Sequence, residues 1–192
     1  MPRDELPVMA FGSAGALDSW LAAHHDRAAG IWLKIAKKGS GEPSVSYAEA
    51  VEVALCHGWI DGQKDRFDDG HWLQRLTPRK PGGRWSKINR EKAEELLASG
   101  RMRPAGLRQV EQARADGRWD RAYDGQRTAE IPADLAAALA ASDGARAFFA
   151  TLSSANRYAI LYRIGEAKRP ETRARRVAKY VAMLEAHQTI HP

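Results

Sequence analysis

Between Cys56 and Asn89 the chain reads CHGWIDGQKDRFDDGHWLQRLTPRKPGGRWSKIN, in which three tryptophans and two histidines stand among closely spaced acids and bases. Side chains of these types converge in one of two ways. Aromatic walls with a few placed polar groups make the usual form of a small-ligand pocket. Alternatively, charges that folding removes from water take each other as partners, and aromatic packing pins the network. The pocket reading takes Trp59, Asp61, Lys64, Gln74, Arg75, Trp85, Lys87 and Asn89 as ligand-binding residues. In the network reading Asp61 on one strand pairs with Arg75 on the next. Asp61 is the one candidate for acid–base work, with Arg75 and Lys87 to hold an anion.

Other chemistries find less support. His24 and His25 are adjacent and point to different sides of a helix, and His57 and His71 flank the hairpin without the spacing of a zinc site. There is no H-E-x-x-H, so no metal is expected. Cys56 lies beside His57, but helix neighbours diverge by about 100°, so adjacency gives no nucleophile–base pair. No G-x-S-x-G and no phosphate-loop pattern occurs, and no cofactor is expected. Two basic groups remain as anion- or partner-binding candidates. Arg79 and Arg84, with Lys80, surround the PGG turn before a helix start. Arg169, Arg173 and Arg176 recur at helical spacing near the C-terminus and suit a phosphate backbone or an acidic partner. No aromatic interleaves that stripe, which disfavours single-stranded nucleic acid.

The elements that position these residues follow from periodicity. Leu17, Trp20, Leu21 and His24 form one stripe of a first helix. IWLKIAKK from Ile31 alternates as a strand with one buried side. Ser46 and Glu49 form a capping box for a helix ending at Gly58. WIDGQKDRF and HWLQRLT read as a hairpin around Asp68–Gly70. Ser86 caps a helix that Gly100 ends, and a further helix from about Pro104 to Asp116 turns Leu107, Val110, Glu111 and Ala113 inward. Four helices follow, the first with Pro132 at its first position.

This order predicts an α+β fold: a small, mainly antiparallel three-stranded sheet covered by helices, in a YjbR/YdhG-like layout, then an all-helical C-terminal region. The expected division is 1–116 for the α+β domain with the hairpin, 117–131 for a connector held by Trp119 and Tyr123, and 132–192 for the helical subdomain. Phe148, Phe149 and Tyr180 are left to pack onto the main domain or onto a second copy, so monomer and homodimer both stand.

The chain has 192 residues, 44% hydrophobic and 28% charged, with a net charge of +6. That length suffices for a core without disulfides, and the single cysteine, Cys56, forms no internal disulfide. Asp4 and Glu5 and the lack of a long apolar run distinguish the N-terminus from a secretory signal, and no stretch is long enough to span a membrane. The expected location is the cytoplasm. The basic excess permits nucleic-acid contact without demanding it.

SYAEAVEVALCHGWIDGQK, WLQRLTPRKPGGRWSKIN, GRMRPAGL, DGRWDRAYD and EAKRPETRARR, in this order, resemble the YdeI/OmpD-associated family, the bacteriocin-protection proteins. The resemblance runs from about Trp20 to Leu184. It implies a cytoplasmic, non-enzymatic binding protein in bacteriocin or antimicrobial-peptide stress tolerance, whose partner is a small molecule or peptide. An enzyme using Asp61 on a small anionic substrate and a nucleic-acid-associated protein are the alternatives.

Overall fold

The computed structural model describes residues 5–126 and 128–192. Asp4, one of the two N-terminal acids, lies outside them, as does Arg127 of the expected connector. The chain forms two compact units, Met1–Ala122 and Tyr123–Pro192.

The first unit runs β1 (Val8–Ala10), α1 (Ala14–His24), β2 (Ile31–Ala36), α2 (Tyr47–Cys56), β3 (Trp59–Arg66), β4 (His71–Pro78), α3 (Lys87–Ala98) and α4 (Pro104–Ala115). The fold is α+β, but the sheet has four strands in the order β1-β2-β4-β3, with β1 parallel to β2 and the other pairs antiparallel. The expectation of three antiparallel strands is corrected by β1. Three residues are too few for alternation to show, and pairing with β2 depends on the crossover through α1. The Trp32 amide donates to the Pro7 carbonyl at 2.9 Å as this pair begins. With a strand on each side, β2 is interior. Ile31, Leu33 and Ile35 are buried, and so is Trp32 on the opposite face, where a one-sided strand was expected.

Two hydrophobic clusters share α2. Ala50, Val53 and Ala54 join Leu17 and Leu21 of α1 against Ile31, Leu33, Ile35, Trp59 and Leu76 of the sheet. Val51, Leu55 and Cys56 join Ala93 and Leu96 of α3, Val110 and Ala113 of α4, and Trp85 and Trp119. The helix starts with the expected capping box: Ser46 accepts the Glu49 amide and the Glu49 carboxylate accepts the Ser46 amide at 2.9 Å. Its last turn meets Gly106 so closely that a Cβ there would stand 2.5 Å from the carbonyl oxygens of Leu55 and Cys56. That approach turns α4 so that Gly106, Val110 and Ala113 face inward. Leu107 and Glu111 are exposed instead of facing the core as their spacing suggests. His24 is likewise exposed, its ring stacked on Trp20 at 4.8 Å.

The second unit consists of α5 (Ala133–Ala140), α6 (Asp143–Thr151), α7 (Ser154–Gly165) and α8 (Pro170–Glu185). Pro132 is the N-cap of α5, one position earlier than expected. Leu135, Leu139, Ile160, Ile164, Val177 and Leu184 make its core together with Phe149 and Tyr180, while Phe148 packs against that core and stacks on His187 at 4.8 Å. These three aromatics therefore serve the unit's own interior. The buried Asn156 fastens the end of the chain: its Oδ1 accepts the amides of Ile190 at 3.1 Å and His191 at 2.9 Å. Of the two connector aromatics, Trp119 packs on Trp85 in the first unit and Tyr123 on Tyr162 in the second.

Gly106→Ala should lower the unfolding free energy by about 1–3 kcal/mol through overpacking, measured by urea denaturation. An unobstructed helical site would gain about 1 kcal/mol from the same change, so stabilisation would show that the α2–α4 approach is not tight.

Candidate functional site

The hairpin carries one β-bulge that decides which side chains meet. Asp61 stands opposite Leu76 and Lys64 opposite Gln74, so three steps along β3 match two along β4. The turn-side register continued without a bulge would set Asp61 opposite Thr77, on the Arg75 face, and the extra residue sets it opposite Leu76 on the other face. The bulge is fastened by the buried Gln74, whose Nε2 donates to the carbonyls of Gly62 at 2.9 Å and Gln63 at 3.2 Å. Gln74 thus satisfies backbone acceptors that the ladder leaves over. Beyond the bulge Lys64 and Arg66 pair with Gln74 and Trp72, on the sheet face that carries Asp61.

The first turn of α2 lies over this face. Tyr47 donates its hydroxyl to Asp61 Oδ2 at 2.7 Å, and its ring lies 5.9 Å from that of Trp72. Burial, then the hydrogen bond and charge of Asp61, push the Tyr47 phenol well above its ordinary range, so it stays a donor. Next to this pair Lys64, Asp65, Arg66 and Trp72 line a cleft of about 400 Å³. The hairpin tip is tied to the rest of the unit. The His71 ring nitrogens lie 2.9 Å from Asp68 Oδ1 and 3.0 Å from Glu42 Oε2, and Lys37 Nζ donates to the Asp68 carbonyl at 3.0 Å.

Of the residues expected at a pocket, the structure brings Lys64 to this cleft, with Gln74 opposite it on β4 and Asp61 beside it on the same sheet face, bonded to Tyr47. Trp59 and Trp85 are 1% and 2% exposed and lie in the two cores. The Trp59 indole donates to the His25 carbonyl at 3.0 Å. Arg75 is half-buried on β4, and Lys87 and Asn89 occupy the first turn of α3, where Ser86 accepts the Asn89 amide at 3.2 Å. Trp72, one of the three tryptophans of the aromatic stretch, lines the cleft together with Asp65 and Arg66, which were not singled out for a pocket. The neighbouring Tyr47 carried no signal, because its contact with Asp61 depends on how α2 lies on the sheet.

The basic candidates turn inward to varying degrees. Arg79 is buried, its guanidinium 3.6 Å above the Trp85 ring and donating to the Arg84 carbonyl at 3.2 Å. Arg84 is half-buried. In the second unit Arg173 forms a two-pronged pair with Asp134, at 2.6 Å and 2.9 Å, and holds that carboxyl below the usual range. Arg176 donates to the Arg163 carbonyl, and Arg169 is exposed as the N-cap of α8.

A second polar cluster forms at the other end of α2. His57 is buried with Nε2 2.8 Å from Asp18 Oδ1, and Arg103 donates to Asp18 Oδ2 at 3.0 Å. Asp18, Cys56, Arg101 and Arg103 line a depression of about 410 Å³. Burial pushes the Cys56 thiol up, which keeps it protonated and a poor nucleophile. Among the described residues no group of three or more His, Cys, Asp or Glu is arranged to hold a metal ion.

The fold and these clusters define an α+β domain carrying a small aromatic and charged cleft, followed by a helical bundle. Residues 9–109, more than half of the chain, match the family model described as Domain of unknown function (DUF8412), and the chain belongs to that family. Residues 128–187 match the model described as Bacteriocin-protection, YdeI or OmpD-Associated. This match lies in the helical unit, while the hairpin blocks of the resemblance fall within the other family's residues. No curated protein and no solved structure matches the chain.

Burial pushes the Asp18 carboxyl up, but hydrogen bonds from His57 and Arg103 and the attraction of both groups outweigh it and hold the carboxyl below its ordinary 3.8. A carboxyl whose folded value is depressed stabilises the fold above its unfolded value of about 3.9 and loses that contribution as pH falls through the folded value. The stability difference between wild type and Asp18→Asn should therefore be largest at neutral pH and close below about pH 4. A difference that stays constant under acid, read by urea denaturation, would remove this role.

Proposed function

We propose that the chain is a binding protein without a catalytic step, and that the hairpin cleft takes a small molecule or short peptide bearing a carboxylate beside a flat apolar group. The observation that carries this reading is the cleft lined by Lys64, Asp65, Arg66 and Trp72, beside which Asp61 is already engaged by a protonated Tyr47 hydroxyl. Lys64 and Arg66 are exposed donors that suit a carboxylate. Trp72 offers a ring surface for the apolar part. With its carboxylate held by Tyr47, Asp61 is engaged beside the cleft, which favours binding over acid–base chemistry. Arg173 and Arg176 spend donors inside their own unit, which weakens a nucleic-acid reading of that stripe.

The match of residues 128–187 to the bacteriocin-protection family supports a protective role, and we place that role in the cytoplasm. Among the described residues no helix is long and apolar enough to cross a membrane.

Titration calorimetry with aromatic carboxylates and short acidic peptides tests the site. Trp72→Ala and the double change Lys64→Ala with Arg66→Ala should each weaken binding by about ten- to a hundredfold, the loss expected for one or two charge-assisted contacts. Melting should change little for the double change, because Lys64 and Arg66 are exposed, whereas Trp72→Ala also removes a ring packed against the core and is compared at a temperature where it is folded. Folded variants that bind as the wild type does would place the ligand elsewhere.

A further inference from the structure

The hairpin cleft is lined by Lys64, Asp65 and Arg66 in succession, together with Trp72. Side chains alternate between the two faces of a strand. Lys64 and Arg66 share a face with Trp72, and Asp65, opposite Leu73, belongs to the other. A cleft that touches all three therefore takes in the outer edge of the strand as well as one face. β3 is the last strand on its side of the four-stranded sheet. Gly62, Gln63, Lys64, Asp65 and Arg66 are all exposed, and Gly62 has only main chain to expose. We propose that a short extended peptide with acidic residues at alternate positions adds to the outer edge of β3 as a fifth strand. This rests on the reading of the hairpin cleft as a binding site and names how its ligand is held.

An added strand lies about 4.8 Å from its neighbour. Main-chain hydrogen bonds hold it, and alternate side chains set its specificity. Alternate residues of an antiparallel strand turn amide and carbonyl away from the neighbour they pair with, and at an edge these groups supply the new bonds. The bulge between Asp61 and Lys64 limits the regular stretch to residues 64–66, so the addition is short. Acidic residues two apart on the peptide then stand across from Lys64 and Arg66 on one face, where opposite charges attract. A second copy of β3 does not fit this edge. Residues opposite each other in a continuous antiparallel sheet share a face, so a two-fold axis must centre on one residue. Centred on Asp65, it sets Lys64 against Arg66 and Asp65 against itself. Centred on Lys64 or Arg66, it sets that cation against its own copy. Such charges guard an edge against self-pairing, and they leave it open to a strand of complementary charge.

The probe is the peptide Phe-Thr-Glu-Thr-Glu-Thr-Phe with blocked ends, which reads the same in both directions and carries a ring past Arg66 whichever way it runs. Its binding to the full chain is measured by calorimetry, beside versions N-methylated on both glutamates or on the threonines. Only one of these sets of amides faces β3, because main-chain groups alternate in direction along a strand. One methylated version should bind at least about tenfold more weakly, the loss of one or two hydrogen bonds, while the other stays within about threefold of the parent. The parent should also slow amide exchange across residues 62–66. Lys64→Glu with Arg66→Glu, at exposed positions, should reverse the preference toward the same peptide with lysine in place of glutamate. Equal affinity of the two methylated versions, high or low, overturns strand addition. So does a bound peptide that leaves exchange at residues 62–66 unchanged, or a reversed chain that still prefers glutamate. If aromatic carboxylates bind the cleft and the peptide does not, strand addition fails and the cleft reading stands. If neither binds, both fail.

Discussion

The first unit depends on the burial of α2 on two sides at once. Six of its ten residues are buried, from Ala50 to Cys56 with only Glu52 between them partly exposed. One set faces the sheet and α1, the other α3 and α4. A helix in that position must meet its neighbours closely, and Gly106 is where the approach is tightest. Its ends follow from the same constraint. Held in the middle, α2 presents Tyr47 to the hairpin at its start and His57 to Asp18 at its finish. The two polar clusters of the unit thus sit at opposite ends of one helix of about 15 Å.

The hairpin shows how one inserted residue allocates chemistry. Without the bulge, the register of the hairpin tip would set Asp61 opposite Thr77, on the sheet face that carries Arg75. With it, Asp61 turns to Tyr47, and Lys64 and Arg66 share a face with Trp72. The cost of the break is met locally, since Gln74 supplies donors to the carbonyls of Gly62 and Gln63. Gln74 reads as a polar site residue in sequence, yet its position in the structure is that of a clasp beneath the site.

The second unit makes a different point about charge. Its arginines look like a partner-binding stripe, but Arg173 closes on Asp134 and Arg176 on a carbonyl of α7. Guanidinium groups fit carboxylates and carbonyl oxygens well enough to hold helices together. The face of α8 left open is rich in alanine.

The sequence by itself determined every element with a local cause. The capping box at Ser46, the serine start of α3, the hairpin and the helical C-terminal region all follow from spacing over a few residues, and the structure contains each of them. What tertiary structure alone decided is what lies across space from each of these. The parallel strand β1 exists because α1 returns the chain beside it, and the burial of Trp59 and Trp85 follows from two cores meeting at α2. Leu107 faces outward because Gly106 must face inward. Tyr47 reaches Asp61, and Asp18 reaches His57, across separations of 14 and 39 residues. Periodicity reports which face of an element is apolar, whereas the identity of the neighbour across that face is set by packing distances that no local pattern encodes.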